Sequence, residues 1–491
     1  MMKENNKSCA IVGAGISGIA AAIRMRNKGY AVTVFESNSF PGGKLSTETT
    51  MGYRFDMGPS VFTMPEYVDE LILLSGKHPR DYINYVPLDP VYKYFFEDGT
   101  IIDGFHGKEK YADEIASKTK DIKEDIVRYL NKTEVMYNLT AEVFLHKSLH
   151  KLKNFFTKRV VKGLLNFGKI GAFDTMNGMN QKAFKDPKTI QILNRYATYN
   201  GSSPYLAPAT LNVISHVEIE KGAFYPLGGM YTITSSLVKL AKDIGVTFCF
   251  STSVREILVA DKKIKGIRTD RDTLNFDVVI SNMDVYNSYS KLLPNAKKPI
   301  KLLSQPKSSS GIIFYWGIKN DFKQLDLHNI FFSENYKEEF AAIFSEKKTY
   351  HDPTIYVNIT SKHTATDAPE GCENWFAFIN TPNNSGQDWD QLVKEAKERI
   401  ILKLNRILNT DIRSLIECEI VFDPRVIESR TSSAFGAIYG NASNNKFSAF
   451  LRHPNFSKDI AGLYFCGGSV HPGPSIPLCL LSAKITTDMV K

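Results

Sequence analysis

The stretch S-C-A-I-V-G-A-G-I-S-G, from Ser8 to Gly18, constrains the fold of this chain more than any other. Ser8 to Val12 has the length and apolar character of a buried strand. Gly13, Gly15 and Gly18 follow at the spacing G-x-G-x-x-G, then a helical run to about Asn27, then a second strand over Ala31 to Phe35 that ends on Glu36. In such a unit the glycines allow a tight turn, close approach of a pyrophosphate to backbone, and close packing of helix on strand. Free N–H groups at the helix start attract phosphate, and a carboxylate at Glu36 suits ribose hydroxyls. The unit predicts a dinucleotide site in an α/β fold.

The continuation excludes an ordinary NAD domain, which would alternate strand and helix. Here the chain passes into P-G-G-K (Pro41 to Lys44), then Y-R-F-D-M-G-P (Tyr53 to Pro59), then a hairpin V-Y-K-Y-F-F-E-D-G-T-I-I. Gly42 and Gly43 would let backbone pass close to a bulky ring or its ribityl chain, and Lys44 is placed to neutralise phosphate. A plain surface turn is the other reading of the double glycine. Near the far end lies Y-F-C-G-G-S-V-H-P-G-P-S-I-P-L (Tyr464 to Leu478), a strand, a double glycine, a histidine among prolines and a helix start. Free N–H groups and positive dipole at that helix start imply that something sits against the loop.

With 491 residues, 43% hydrophobic, the chain is too long for one core and folds as two intertwined domains. Six cysteines without a C-x-x-C pair argue for a reducing, cytoplasmic compartment and against a zinc site or a disulfide framework, and no metal is expected. The polar residues before Ser8 are not expected to be a signal peptide, and no apolar run has the length of a membrane span. The net charge of +9 is uneven: seven Lys or Arg and no acid lie between Lys147 and Lys169, interleaved with apolar residues at helical spacing. Such a helix either lies on an anionic membrane from the cytoplasmic side or packs its apolar face inward. No recognition motif accompanies it, so nucleic-acid binding is not expected.

Taken together, these motifs resemble the FAD-containing carotenoid desaturases of the bacterial phytoene desaturase type, within the amine oxidase superfamily. G-A-F-Y-P-L-G-G-M (Gly222 to Met230), T-S-V-R-E-I (Thr252 to Ile257) and S-N-M-D (Ser281 to Asp284) extend the likeness along the whole chain. Pro474, where the family often has Ala or Gly, and Lys44, where it more often has Arg, depart from the pattern. The resemblance implies a Rossmann-type FAD domain built from residues 1–85, 210–295 and 455–491. Residues 86–209 and 296–454 would supply a mixed-sheet and helical substrate domain that also meets the membrane. It implies cofactor contacts at Gly13, Gly15, Gly18, Glu36, Gly42, Gly43, Lys44, Gly58, Pro59, Val254, Gly467, Gly468, Ile476 and Pro477.

The activity implied is hydride transfer from an allylic C–H of a carotenoid to flavin, with loss of a vicinal proton. His471 is the candidate base, set against a purely structural hydrogen bond in its proline-rich turn; Glu218 and Glu220 are weaker candidates. R-Y-A-T-Y-N-G-S-S-P-Y (Arg195 to Tyr205) and the C-terminal loop are most similar to the 1-hydroxycarotenoid 3,4-desaturases. Tyr199, Asn200, Ser202 and Ser203 would then bind a terminal hydroxyl. A phytoene desaturase, a redox-neutral carotenoid isomerase and a non-enzymatic prenyl-binding carrier resembling the GDP dissociation inhibitors are the alternatives; intact flavin motifs speak against the carrier.

Overall fold

The computed structural model describes residues 7–145, 147, 148, 150, 174–445 and 452–490. Its first unit is the one expected: strand Ser8–Val12, helix Ile16–Asn27 and strand Ala31–Phe35. The apolar run of the first strand is buried because it lies in the middle of a parallel sheet covered on both faces. The sheet order is Thr247–Cys249, Ala31–Phe35, Ser8–Val12, Val278–Ser281, Leu463–Phe465, and every pair is parallel. Segments far apart in sequence thus supply neighbouring strands.

The fingerprint helix packs against helices Tyr231–Asp243 and Ile476–Asp488. Its Ala20, Ala21 and Ala22 are fully buried, and small side chains permit such close helix packing. The Lys28 ammonium donates to the carbonyls of Thr487 and Val490, tying the end of the first helix to the end of the last. A cation there also complements the negative end of the C-terminal helix dipole.

The second layer is a seven-stranded mixed sheet in the order Ile416–Phe422, Ser310–Ile318, Glu373–Thr381, Ile355–Ile359, His328–Phe331, Tyr92–Phe95, Ile101–Gly104. The hairpin read from the sequence forms its edge. Every residue of Ser310–Ile318 is buried, so its period of two is hidden in an unbroken apolar run. Burial on both sides explains this. Ile312, Phe314, Trp316 and Ile318 join Trp375, Trp389, Ile400 and Leu404 in a core against helix Trp389–Leu408. Ile313 and Tyr315 point the other way, into a core with Tyr53, Phe55 and Phe376. Each large apolar side chain so buried contributes about 1.5–3 kcal/mol. Asp388 caps the helix by accepting from the Gln391 N–H.

Helices Lys108–Lys118, Lys123–Phe144, Met176–Ala183 and Pro187–Asn194 complete this half. The boundary expected at residue 85 falls inside strand Tyr85–Pro87, which pairs with Ala223–Pro226. Most of the basic Lys147 to Lys169 segment lies outside the described residues. Among the described residues no helix is long and apolar enough to cross a membrane.

Candidate functional site

A single cavity of about 980 Å³ runs from the fingerprint loop to the inner face of the seven-stranded sheet. That volume is at the upper end for small-molecule sites. Its walls include Gly13, Gly15, Glu36, Gly42, Gly43, Lys44, Gly58, Pro59 and Val254 at one end, and Gly467, Gly468, His471, Ile476 and Pro477 along the C-terminal loop. Gly18 lies behind this wall, packed on the fingerprint turn.

The fingerprint loop and the double-glycine turn are locked together. The Gly42 N–H donates to the Ala14 carbonyl at 2.8 Å, and Glu36 accepts from the N–H groups of Ala14 (2.8 Å) and Asn38 (2.9 Å). Asn282, of the S-N-M-D turn, wedges between the two glycine loops. A Cβ on Gly15 would come within 2.6 Å of its Oδ1, one on Gly467 within 2.8 Å of its Nδ2, and its Nδ2 donates to the Cys466 carbonyl at 3.1 Å. The steric demand at Gly15 is therefore already set by a protein side chain. Asp56 of Y-R-F-D accepts from the N–H groups of Met230 (2.8 Å) and Tyr231 (3.0 Å), joining the first and middle segments.

The Lys44 ammonium donates one of its three N–H groups to the Ile438 carbonyl at 2.6 Å, which anchors it to the opposite wall of the cavity. Burial lowers its pKa, against the pull of nearby Asp284. Arg452 is a second buried cation on this wall; among the described residues it donates to the Gly468 and Asn441 carbonyls and Ser443 Oγ at 3.4–3.5 Å. It has no carboxylate partner among the described residues, and burial lowers its pKa to about 10. The C-terminal helix opens at Ser475, whose φ of 117° is unusual for a residue with a Cβ and whose Oγ accepts from the Leu478 N–H. Glycine-floored backbone, a helix start and a buried cation without a carboxylate partner among the described residues form a donor set matched to an anionic dinucleotide with an electron-accepting ring.

His471 is 1% exposed. Its Nε2–H donates to the Lys147 carbonyl at 2.8 Å, while its own carbonyl accepts from Asn455 Nδ2 and Ser482 Oγ. Burial lowers its pKa to about 4, and His150 and Arg452 add to the effect. The ring is neutral at pH 7 but a weak base, which favours the structural role over proton abstraction.

The substrate-side residues divide. Tyr199 and Asn200 line the cavity. Ser202 and Ser203 do not, which corrects their assignment: Ser202 Oγ accepts from the Ser443 N–H at 2.8 Å, and the Ser203 N–H donates to Asn444 Oδ1 at 2.8 Å. Their polarity serves to dock two loops. Glu220 accepts from the Lys108 N–H at 2.7 Å, away from the cavity.

Glu218 is not exposed. It forms a buried ion pair with Arg195 at 2.7 Å, and accepts from the hydroxyls of Tyr196 (2.8 Å) and Tyr199. Tyr92 Oη lies 3.1 Å from Tyr199 Oη, and the Arg195 guanidinium lies 4.3 Å over the Tyr92 ring. Burial opposes the Arg195 charge, but Glu218 more than restores it, so its pKa is raised. Beside this cluster Tyr356 Oη donates to Ser60 Oγ at 2.7 Å and lies 2.7 Å from His328 Nδ1. Arg195, Tyr92, Tyr356 and His328 escaped the sequence reading. Only the buried pairing in the fold separates them from ordinary strand aromatics and turn residues.

The flavin-containing amine oxidoreductase family model matches residues 16–490. Among curated relatives, a 1-hydroxycarotenoid 3,4-desaturase of Flavobacterium sp. (strain P99-3) is 50% identical over 484 residues, covering 99% of each chain. A 4,4'-diapolycopene oxygenase of Methylomonas sp. is 32% identical over 500 residues, 100% of this chain and 99% of its own. A crystal structure of an oxidoreductase from Methanosarcina mazei aligns with TM-score 0.63 at 14% identity over 98% of this chain and 100% of its own, a likeness of fold. The fold, the glycine-floored cavity and these matches lead to one conclusion: the chain belongs to the flavin-containing amine oxidoreductase family and is an FAD-dependent oxidoreductase.

Proposed function

We propose that this enzyme is a carotenoid desaturase that forms the C3–C4 double bond of an acyclic carotenoid carrying a hydroxyl at C1. The carrying observation is the continuity of the cavity, in which the glycine-floored end opens directly into an apolar interior lined by Ile313, Ile330, Phe376 and Phe378. A polyene has no charged handle, so its binding rests on apolar burial at ~25 cal/mol per Å². The 50% identity to the Flavobacterium desaturase supports the same reading.

In this reading Gly13 and Gly15 would hold the pyrophosphate of FAD, with Gly18 letting the fingerprint helix approach from behind them, Glu36 would hold its ribose, Val254 its adenine side, and Gly42, Gly43, Gly58, Pro59 and the loop Gly467 to Pro477 its ring. When bound, FAD supplies the hydride acceptor. The protein's own part is to hold the chain's end against that ring, to exclude water with the apolar wall, and to set positive charge beside it with Arg452 and the C-terminal helix start. The allylic C–H would give its hydrogen with the bonding electron pair to the flavin, the electron pair of the vicinal C–H bond would form the new double bond, and the proton so released would pass to water. The basic Lys147 to Lys169 segment docks the enzyme on the lipid that holds the substrate.

Anaerobic mixing with a 1-hydroxylated acyclic carotenoid tests this. Bleaching of oxidised flavin with a red shift of the carotenoid band is the expected result. A carotenoid shift with no net flavin bleaching would indicate isomerisation, a requirement for oxygen would indicate oxygenation, and no change in either band a carrier; each would overturn the proposal.

A further inference from the structure

The cavity is apolar apart from a few groups, and the hydrogen-bond directions around Glu218 dictate what can bind beside it. A carboxylate only accepts, so Arg195, Tyr196 and Tyr199 all donate to Glu218. The Tyr199 proton is therefore committed. Its oxygen can only accept from Tyr92, 3.1 Å away, which commits the Tyr92 proton as well. Tyr92 Oη makes no other hydrogen bond among the described residues, so it ends the chain as an acceptor. Charge adds a second restriction. Arg195 and Glu218 are 4% and 3% exposed and neutralise each other, so the site offers no net charge to attract an ionised ligand.

We infer that the Tyr92–Tyr199–Glu218–Arg195 chain is a selector for a neutral hydrogen-bond donor, a free alcohol, and that it rejects the corresponding ether. The inference rests on the carotenoid reading above for the identity of the molecule that carries the alcohol. Placement agrees with it. The Tyr92 ring lies 5.1 Å from the His328 ring and 6.4 Å from the Tyr356 ring. Tyr356 in turn donates to Ser60, adjacent to Gly58 and Pro59. A hydroxyl held at Tyr92 would therefore sit near the segment proposed to meet the flavin, as a C1 hydroxyl must when the reacting carbons are only a few bonds away.

The test uses FAD-loaded enzyme and three acyclic carotenoids, the 1-hydroxy compound, its 1-methoxy ether and the 1-deoxy parent. Binding is read from the shift of the carotenoid band, and turnover from the red-shifted product. The alcohol is expected to bind at least about tenfold more tightly than either analogue, because only it supplies the proton that the Tyr92 oxygen needs. Tyr92→Phe should bring the three dissociation constants within about twofold of one another. Tyr199→Phe gives an independent result should the first variant not fold: it frees the Tyr92 proton to donate, and the ether should gain on the alcohol. Equal binding of alcohol and ether by the unaltered enzyme overturns the inference, as does a Tyr92→Phe enzyme that keeps the preference. If the alcohol is preferred in binding but none of the three yields a desaturated product, the selector stands and the desaturase reading falls.

Discussion

Gly18→Ala separates two reasons for a fingerprint position to be glycine. A Cβ on Gly18 would lie 2.2 Å from the Gly13 carbonyl oxygen and 3.0 Å from Asn282 Oδ1. Ordinary non-bonded contacts lie near 3.5 Å, so the helix would have to withdraw by about 1 Å. Neither neighbour is free to give way, since the Gly13 N–H donates to the Phe35 carbonyl at 2.8 Å and Asn282 is held by Cys466. Overpacking of this kind costs about 1–3 kcal/mol, and a clash with backbone belongs at the upper end. Better helix propensity returns about 1 kcal/mol, leaving a net loss of ~2 kcal/mol that needs no ligand. Gly43 is the contrasting case. A Cβ there has one protein neighbour within 4 Å, the Gly15 Cα at 3.5 Å, with a φ of +58° costing about 1 kcal/mol. The assay is urea unfolding of the FAD-free protein together with flavin content of the reconstituted protein. Gly18→Ala should lower both the unfolding midpoint and the flavin content, while Gly43→Ala should mainly weaken FAD binding. A Gly18→Ala protein that loses FAD yet unfolds at the unaltered midpoint would refute the packing argument.

Removing one partner of the buried Arg195–Glu218 pair by Glu218→Leu should cost about 3–5 kcal/mol, seen as a lowered unfolding midpoint; a loss below ~1 kcal/mol would mean the pair is wet. Burial lowers the pKa of His328 to about 3 and those of His453 and His471 to about 4, from 6.5. Their unfolded forms bind protons first, so stability is full above pH 6.5 and falls as pH drops toward 5; a flat profile across that window would contradict this, and His328→Gln should shallow the slope. Changing three lysines between Lys147 and Lys169 to Glu should weaken sedimentation with anionic liposomes at low salt while flavin content stays normal, and unchanged sedimentation would assign the segment to solvent.

The first unit was legible because its signals are local. Strand length, glycine spacing and the acidic strand end all lie within Ser8 to Glu36, and the observed elements follow them. The C-terminal loop was legible for a similar reason, since Gly467, Pro472 and Pro477 mark a turn before a helix. The polar wall was not. Glu218 stood out only as a weaker candidate base; Ser60, Tyr92, Arg195, His328 and Tyr356 join it from other segments, and no periodicity marks an aromatic hydroxyl that meets a carboxylate across the fold. Ser202 and Ser203 misled for the converse reason. A run of polar residues looks the same whether it faces a ligand or docks a loop, and Asn444 and Ser443, far along the chain, decide which.

The interleaved parallel sheet has a consequence for biogenesis. Strand Leu463–Phe465 completes the sheet beside Val278–Ser281, and the helix from Ile476 to Asp488 packs on the fingerprint helix near the start of the chain. A ribosome delivers these pieces in order at roughly 5–20 residues per second, so the fingerprint waits through most of synthesis without its final partners. Until then its apolar surface is exposed, and the walls of the flavin site are incomplete. FAD capture should therefore be a late event that seals the fold, and flavin scarcity should show first as aggregation of newly made chains, before any shortage of catalytic turnover.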